Sequence, residues 1–210
     1  MTGVQTCALP ISPEWASAGA EVLLAAVLLP GEDFTQTRAK LDEWGRELRL
    51  RIVGVEGAAH QAAVLAEFLG EELNFHGNEL DYYSAENSIL PNVIQNRRGI
   101  PLSLSIGYMA VARRAGLVMH GVGLPGHFVV RLGNAFLDPF YHGRRLYLDD
   151  CQRLLEGQGM ELQPHHLMPC KPRVMLARML KNLLHIADEE RDGEFSVKLQ
   201  SWLEKLQRAV

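Results

Sequence analysis

His127 and Asp138 are the residues whose types and spacing could do chemistry together. They flank Gly133-Asn134, a two-residue turn signal set between two apolar runs. A turn there pairs Leu132 with Ala135 and Arg131 with Phe136. Further out it sets Val129 against Asp138 and His127 against Phe140. Side chains alternate between the faces of a strand, so His127, Val129 and Arg131 share a face with Phe136, Asp138 and Phe140. His127 and Asp138 become diagonal neighbours, about 7 Å apart at the backbone and within side-chain reach. A carboxylate so placed bonds one imidazole nitrogen, selects its tautomer and supports its charge, as general-base catalysis requires. The competing reading is a His–Asp pair that only bonds locally to loop backbone. Phe128, Val130, Leu132, Ala135 and Leu137 make the opposite face a core face. A polar pair beside so apolar a hairpin needs partners, because unpaired polar groups are costly there.

The elements that must hold this pair are legible from the period of the apolar residues. Residues 14–29 are rich in Ala, Leu and Val and read as a buried helix, ended by Pro30-Gly31. Residues 35–50 form a second helical stretch, with Leu41, Trp44 and Leu48 on one face. Residues 56–75 form a third, with Gly77-Asn78 as its stop signal. Residues 81–88 read as a structured loop and 89–96 as a short helix. Pro101 opens a longer helix to about residue 115, where its missing N–H costs nothing. The period then changes to that of strands at 118–124, 128–132 and 135–137. Asp149 or Asp150 caps a short helix through Leu155. Pro164, Pro169 and Pro172 mark a linker, and residues 174–187 and 194–207 form a helical pair split by Asp192-Gly193. Helices followed by antiparallel strands give an α+β fold.

Composition narrows the function classes. The chain has 210 residues, 47% apolar and 22% charged, with a net charge of -4, as expected of a globular protein able to bury a core. Basic residues are dispersed, with Arg97-Arg98 and Arg113-Arg114 the densest pairs, so no nucleic-acid stripe is expected. The longest apolar run, residues 22–29, is too short to span a bilayer. Cys7, Cys151 and Cys170 lack metal-ligand or disulfide spacing, and His142, His165 and His166 have no acidic or Cys partner at metal spacing. No metal or cofactor is expected, and free thiols suit a reducing, cytoplasmic setting. Residues 1–11 resemble translated sequencing-adapter read-through and lack the basic start of a signal peptide. They are expected to be non-native, and Cys7 goes with them. The remaining organisation reads as a helical segment at 12–76, a core at 77–160, and a linker with helices at 161–210.

Taken in order, the segments carry a family likeness. A buried helix is followed by Gly126-His127-Phe128-Val129-Val130 and then Phe136-Leu137-Asp138-Pro139-Phe140. This order resembles the transglutaminase-like superfamily, which implies a cysteine-protease-like core. The bacterial SirB-type branch is matched more closely. The segments that match it are Gly77-Asn78, Tyr82-Tyr83, Asn87-Ser88, Arg97-Arg98-Gly99-Ile100-Pro101 and Gly121-Val122-Gly123-Leu124-Pro125-Gly126-His127. Arg178-Met179-Leu180-Lys181-Asn182-Leu183 resembles the start of that branch's C-terminal helical, TPR-like region. The likeness covers roughly residues 20–190. It implies a catalytic His127 and Asp138, and a thiol that follows a glycine at the helix start. Pro101 stands in that slot, and proline cannot attack a carbonyl.

Other nucleophiles are therefore weighed. Ser103 and Ser105 lie two and four residues into the same helix, and Ser105 shares the face of Pro101. Their bland role is to bond a carbonyl one turn back. Cys151 sits beside Asp149 and Asp150, whose charge opposes a thiolate, and Cys170 lies in the linker. Arg97 and Arg98 precede the helix and could grip a carboxylate, either internally on Asp81 or Glu86 or on a ligand. Asn87 and Tyr83 join them as candidate binding residues. Three functions follow. The first is a non-catalytic or regulatory module binding a protein or peptide. The second is an amide hydrolase or acyl-transfer enzyme in which His127 and Asp138 activate Ser105, Ser103 or water. The third is a structural scaffold.

Overall fold

The computed structural model describes residues 34–208, so the expected helix at 14–29 lies outside the described residues. Helix α1, Thr35–Arg51, buries Leu41, Trp44 and Leu48. Helix α2, Ala58–Ala66, runs on into a wider π-helical turn, Glu67–Glu72. The wide turn falls where the backbone of His142 packs against Gly70 so closely that a Cβ at Gly70 would overlap the His142 carbonyl. The helix ends at Asn74, which takes a left-handed φ of 57°, and not at the expected Gly77-Asn78. Gly77 lies instead in a two-residue strand β1, His76–Gly77, which pairs in parallel with β2, Arg98–Gly99. A pair so short leaves no periodic signal in sequence. Between them stands α3, Leu90–Asn96.

Helix α4, Pro101–Arg114, is the central element. Proline occupies its first turn, and eleven of its residues are buried. It ends before Gly116, whose φ is +88°. The sheet is antiparallel in the order β3, Met119–Val122; β4, Val129–Leu132; β5, Ala135–Asp138; and β6, Arg144–Leu146. The register of β4 and β5 pairs Leu132 with Ala135 and Arg131 with Phe136, as the turn chemistry requires, with Gly133 at φ +57°. Strand β6 is an addition, because its Arg144 and Arg145 are exposed and give no apolar period.

Both faces of the hairpin are buried. Phe128, Val130, Leu132, Ala135 and Leu137 join the main core with α1, α2 and α4. Val129 and Phe136 join a second cluster with Val122, Leu124, Leu146, Cys151 and Leu155. The cover on that side is α5, Leu148–Glu156, whose N-terminus is fixed by Asp150 accepting from the Tyr147 N–H at 2.8 Å. Helices α6, Pro172–Glu189, and α7, Gly193–Arg208, pair antiparallel and contribute Leu176, Leu180, Leu183, Leu199 and Leu206 to the main core.

One buried group on α4 is unsatisfied. The Tyr108 side chain is fully buried and its hydroxyl has no hydrogen-bond partner among the described residues. Burial, then the charge of Asp138, pushes that phenol far above its ordinary range. Tyr108→Phe is therefore expected to leave stability unchanged or raise it by up to about 1 kcal/mol. Chemical denaturation checks this. A loss of more than about 1 kcal/mol would instead reveal a buried water bonded to the hydroxyl.

Candidate active-site dyad and a polar cleft

His127 follows a tight turn in which its N–H donates to the Leu124 carbonyl at 3.2 Å and Gly126 takes a φ of +71°. That turn delivers the imidazole to the end of β5. Its Nε2 lies 2.9 Å from Oδ2 of Asp138. The Asp138 side chain is 0% exposed and the His127 side chain 12%. The other carboxylate oxygen, Oδ1, accepts from the Phe140 N–H at 3.1 Å, so both oxygens are engaged. A carboxylate on Nε2 holds the neutral imidazole with its proton there and leaves a lone pair on Nδ1. Nδ1 has no hydrogen-bond partner among the described residues. The ring stands edge-on to Phe140 at 6.1 Å and tilted to Tyr141 at 6.4 Å. Phe140 itself presses on Gly77, where any Cβ would overlap its ring.

Each sequence-derived candidate has a definite place. Pro101 is buried at the first position of α4. Ser103 accepts from the Ile100 N–H at 3.2 Å and donates to the Asn87 carbonyl at 2.5 Å. Ser105 is 0% exposed, and its nearest acceptor is the Phe128 carbonyl at 3.5 Å. Neither hydroxyl bonds His127. Asn87 is turned inward: its Nδ2 donates to the carbonyls of Asp81 at 2.6 Å and Tyr82 at 3.1 Å, and its Oδ1 accepts from Asn78 at 3.0 Å. It fastens the 78–84 loop and presents no free donor to a ligand. Tyr83 is 66% exposed and stacks edge-on with Tyr82 and His185. Tyr82 in turn meets Phe140, so a line of rings runs from His127 to the surface.

Arg97 and Arg98 are exposed and line a polar cleft of about 530 Å³ with His76, Asp81, Gln95 and Glu86. The expected internal pairing with Asp81 or Glu86 does not form; neither guanidinium makes an ion pair among the described residues. Arg97 ends α3 in a left-handed conformation, with φ 59°, and its carbonyl accepts from the His76 N–H at 3.0 Å.

The thiols are unpromising. Cys151 is fully buried, and burial, then Asp150 and Asp138, push it up. Burial pushes Cys170 up as well, opposed by Arg178. Among the described residues no three His, Cys, Asp or Glu side chains gather as a metal site, and no helix is long and apolar enough to cross a membrane. In the sequence, Arg178, Asn78 and Phe140 stand only as members of a segment or a face, without a role at the site. Their roles rest on carbonyl and ring contacts that spacing does not encode.

A buried helix packed on an antiparallel sheet, with a His just ahead of one strand and an Asp at the end of the next, defines the class. The profile of the transglutaminase-like superfamily matches residues 35–181, and the chain belongs to that superfamily. Among its relatives is a UPF0162 protein of Pseudomonas aeruginosa, 34% identical over 178 residues, covering 81% of this chain and 65% of the relative. Another is a UPF0162 protein of Xylella fastidiosa, 37% identical over 131 residues, covering 58% and 47%. The F-box only protein 21 of Mus musculus is 32% identical over 134 residues, covering 58% of this chain and 21% of that protein. The chain thus spans less than two thirds of the length of these relatives. No solved structure matches it.

Proposed function

We propose that this chain is a binding or regulatory module of the SirB-type branch, with a cysteine-protease-like core that keeps the dyad and lacks the nucleophile. A cytoplasmic setting suits its free thiols. The observation that carries this reading is the start of α4. Pro101 is its first residue, in the position that the superfamily likeness assigns to the nucleophile, while Ser103 and Ser105 direct their hydroxyls at backbone carbonyls. An imidazole with no nucleophile to deprotonate still offers Nδ1 as an acceptor. Tyr82 and Tyr83 offer exposed ring surface on the line of rings that reaches His127 through Phe140, and Arg97 and Arg98, which line the polar cleft and make no ion pair among the described residues, suit a carboxylate. The ligand class is a peptide segment bearing an acidic group. A water on Nδ1 is the remaining hydrolytic route.

A peptide-display selection on the full chain tests the binding half. Arg97→Ala with Arg98→Ala is expected to weaken selected acidic peptides at least about tenfold, as loss of a charge-assisted bond would. Equal affinity would remove the arginines from the site. The chemical half is tested by turnover of a generic fluorogenic amide. Turnover abolished by His127→Ala would overturn the non-catalytic reading.

The thiols give an independent expectation. Iodoacetamide should modify Cys151 and Cys170 no faster than a free thiol at neutral pH, because both are shifted away from the thiolate. Serine at both positions should leave peptide binding intact. A cysteine reacting about tenfold faster than the free thiol, with the excess lost in His127→Ala, would mean a rearranged triad.

A further inference from the structure

We infer that Arg178, on the C-terminal helix α6, is a positioning residue for His127. Its Nη1 and Nη2 both donate to the Leu124 carbonyl at 3.2 Å, and Nη2 also donates to the His127 carbonyl at 3.0 Å. One guanidinium therefore grips both ends of the Leu124-Pro125-Gly126-His127 turn. The turn needs gripping, because Gly126, at φ +71°, is its most permissive residue and would let the imidazole swing. The guanidinium also lies over the Phe128 ring, 5.3 Å from its centroid.

The surroundings are built for this contact. A Cβ on Gly123 would sit 2.8 Å from Nη1, so a side chain there would displace the guanidinium. Arg178 is half-buried and makes no ion pair among the described residues. The titratable groups facing it are Tyr82 and Cys170, and burial disfavours its charge. A cation kept in such a place without a carboxylate is satisfied by the Phe128 ring and by carbonyls, and those carbonyls belong to the dyad turn. A second strap runs alongside: the Cys170 N–H donates to the Gly121 carbonyl at 2.7 Å, and Val122 bridges to Pro169. The segment leading into α6 thus holds β3, while Arg178 holds the turn between β3 and β4. Docking of the C-terminal helices and the pose of His127 become one mechanical unit.

This inference deepens the binding-module reading by naming what holds its dyad. It can fail while that reading stands, since it concerns the pose of His127 and not what the cleft receives. The experiment compares the full chain with Arg178→Met and Arg178→Lys. The readouts are His127 side-chain nitrogen resonances and amide exchange along the chain. In Arg178→Met the His127 signals should lose their Nε2-protonated signature. Exchange at the amides of residues 124 and 126–128 should rise at least about tenfold, while α1 and α4 change less. Arg178→Lys, with one charged head able to reach one of the two carbonyls, should recover part of both effects. Unchanged His127 signals in a folded Arg178→Met protein would overturn the proposal. So would a uniform rise in exchange across every element in both variants, which would mark a general packing role.

Discussion

Pro101→Cys is expected to produce a thiol that iodoacetamide modifies about tenfold faster than free cysteine at pH 7. A free thiol is ionised to only a few per cent there, and only the thiolate attacks. Position 101 is the first residue of α4, where unsatisfied backbone N–H groups and the helix dipole favour a negative charge. In the slot proposed above, Nδ1 of His127 is the group that takes the thiol proton, because Asp138 holds Nε2. Together these influences can lower a thiol into the range of about 3.5–7.5. The substitution itself is mild, since a residue at this position returns an N–H that the helix start leaves unbonded in any case. The decisive measurement is the alkylation rate from pH 5 to 9. The variant should reach its plateau below neutrality, and His127→Ala in the same background should restore the profile of a free thiol. A Pro101→Cys protein that titrates like free cysteine, or ignores the loss of His127, would show that the start of α4 is not the nucleophile slot.

Asp138→Ala should destabilise the fold by about 3 kcal/mol, whether or not any catalysis exists. The carboxylate is 0% exposed and serves two donors, the His127 ring at 2.9 Å and the Phe140 N–H at 3.1 Å. Alanine leaves both without a partner in a site that water does not reach freely, at about 1–3 kcal/mol for each orphaned group. For a chain of this size the melting point should fall by about 10 °C. Asp138→Asn should lose less, because its amide oxygen can still accept from one of the two donors. An unchanged melting point in Asp138→Ala would mean that the dyad is solvated and contributes nothing to the fold.

Much of this geometry is written in short stretches of chain. Gly133-Asn134 sets a turn, the turn sets the register, and the register puts His127 within reach of Asp138. Pro101 marks the start of α4 because a proline ring fits only a first helical turn. These features are local, so neighbouring residues suffice to specify them. The tertiary structure decided the rest. Asn87 reads as a candidate ligand-binding amide, yet it turns inward because the 78–84 loop has carbonyls to satisfy there. Arg97 and Arg98 read as partners for Asp81 or Glu86, yet the cleft holds those charges apart. The hairpin reads as having one core face, yet α5 buries the second as well. Arg178 reads as one residue in a helical motif, and only packing carries it to carbonyls 54 and 51 residues away in sequence. Local sequence therefore determined which residues could form the dyad. Which groups are satisfied, which stay free and what holds His127 in place depended on distant segments meeting. The reason is that buried polar groups take whichever partner the folded chain brings within reach.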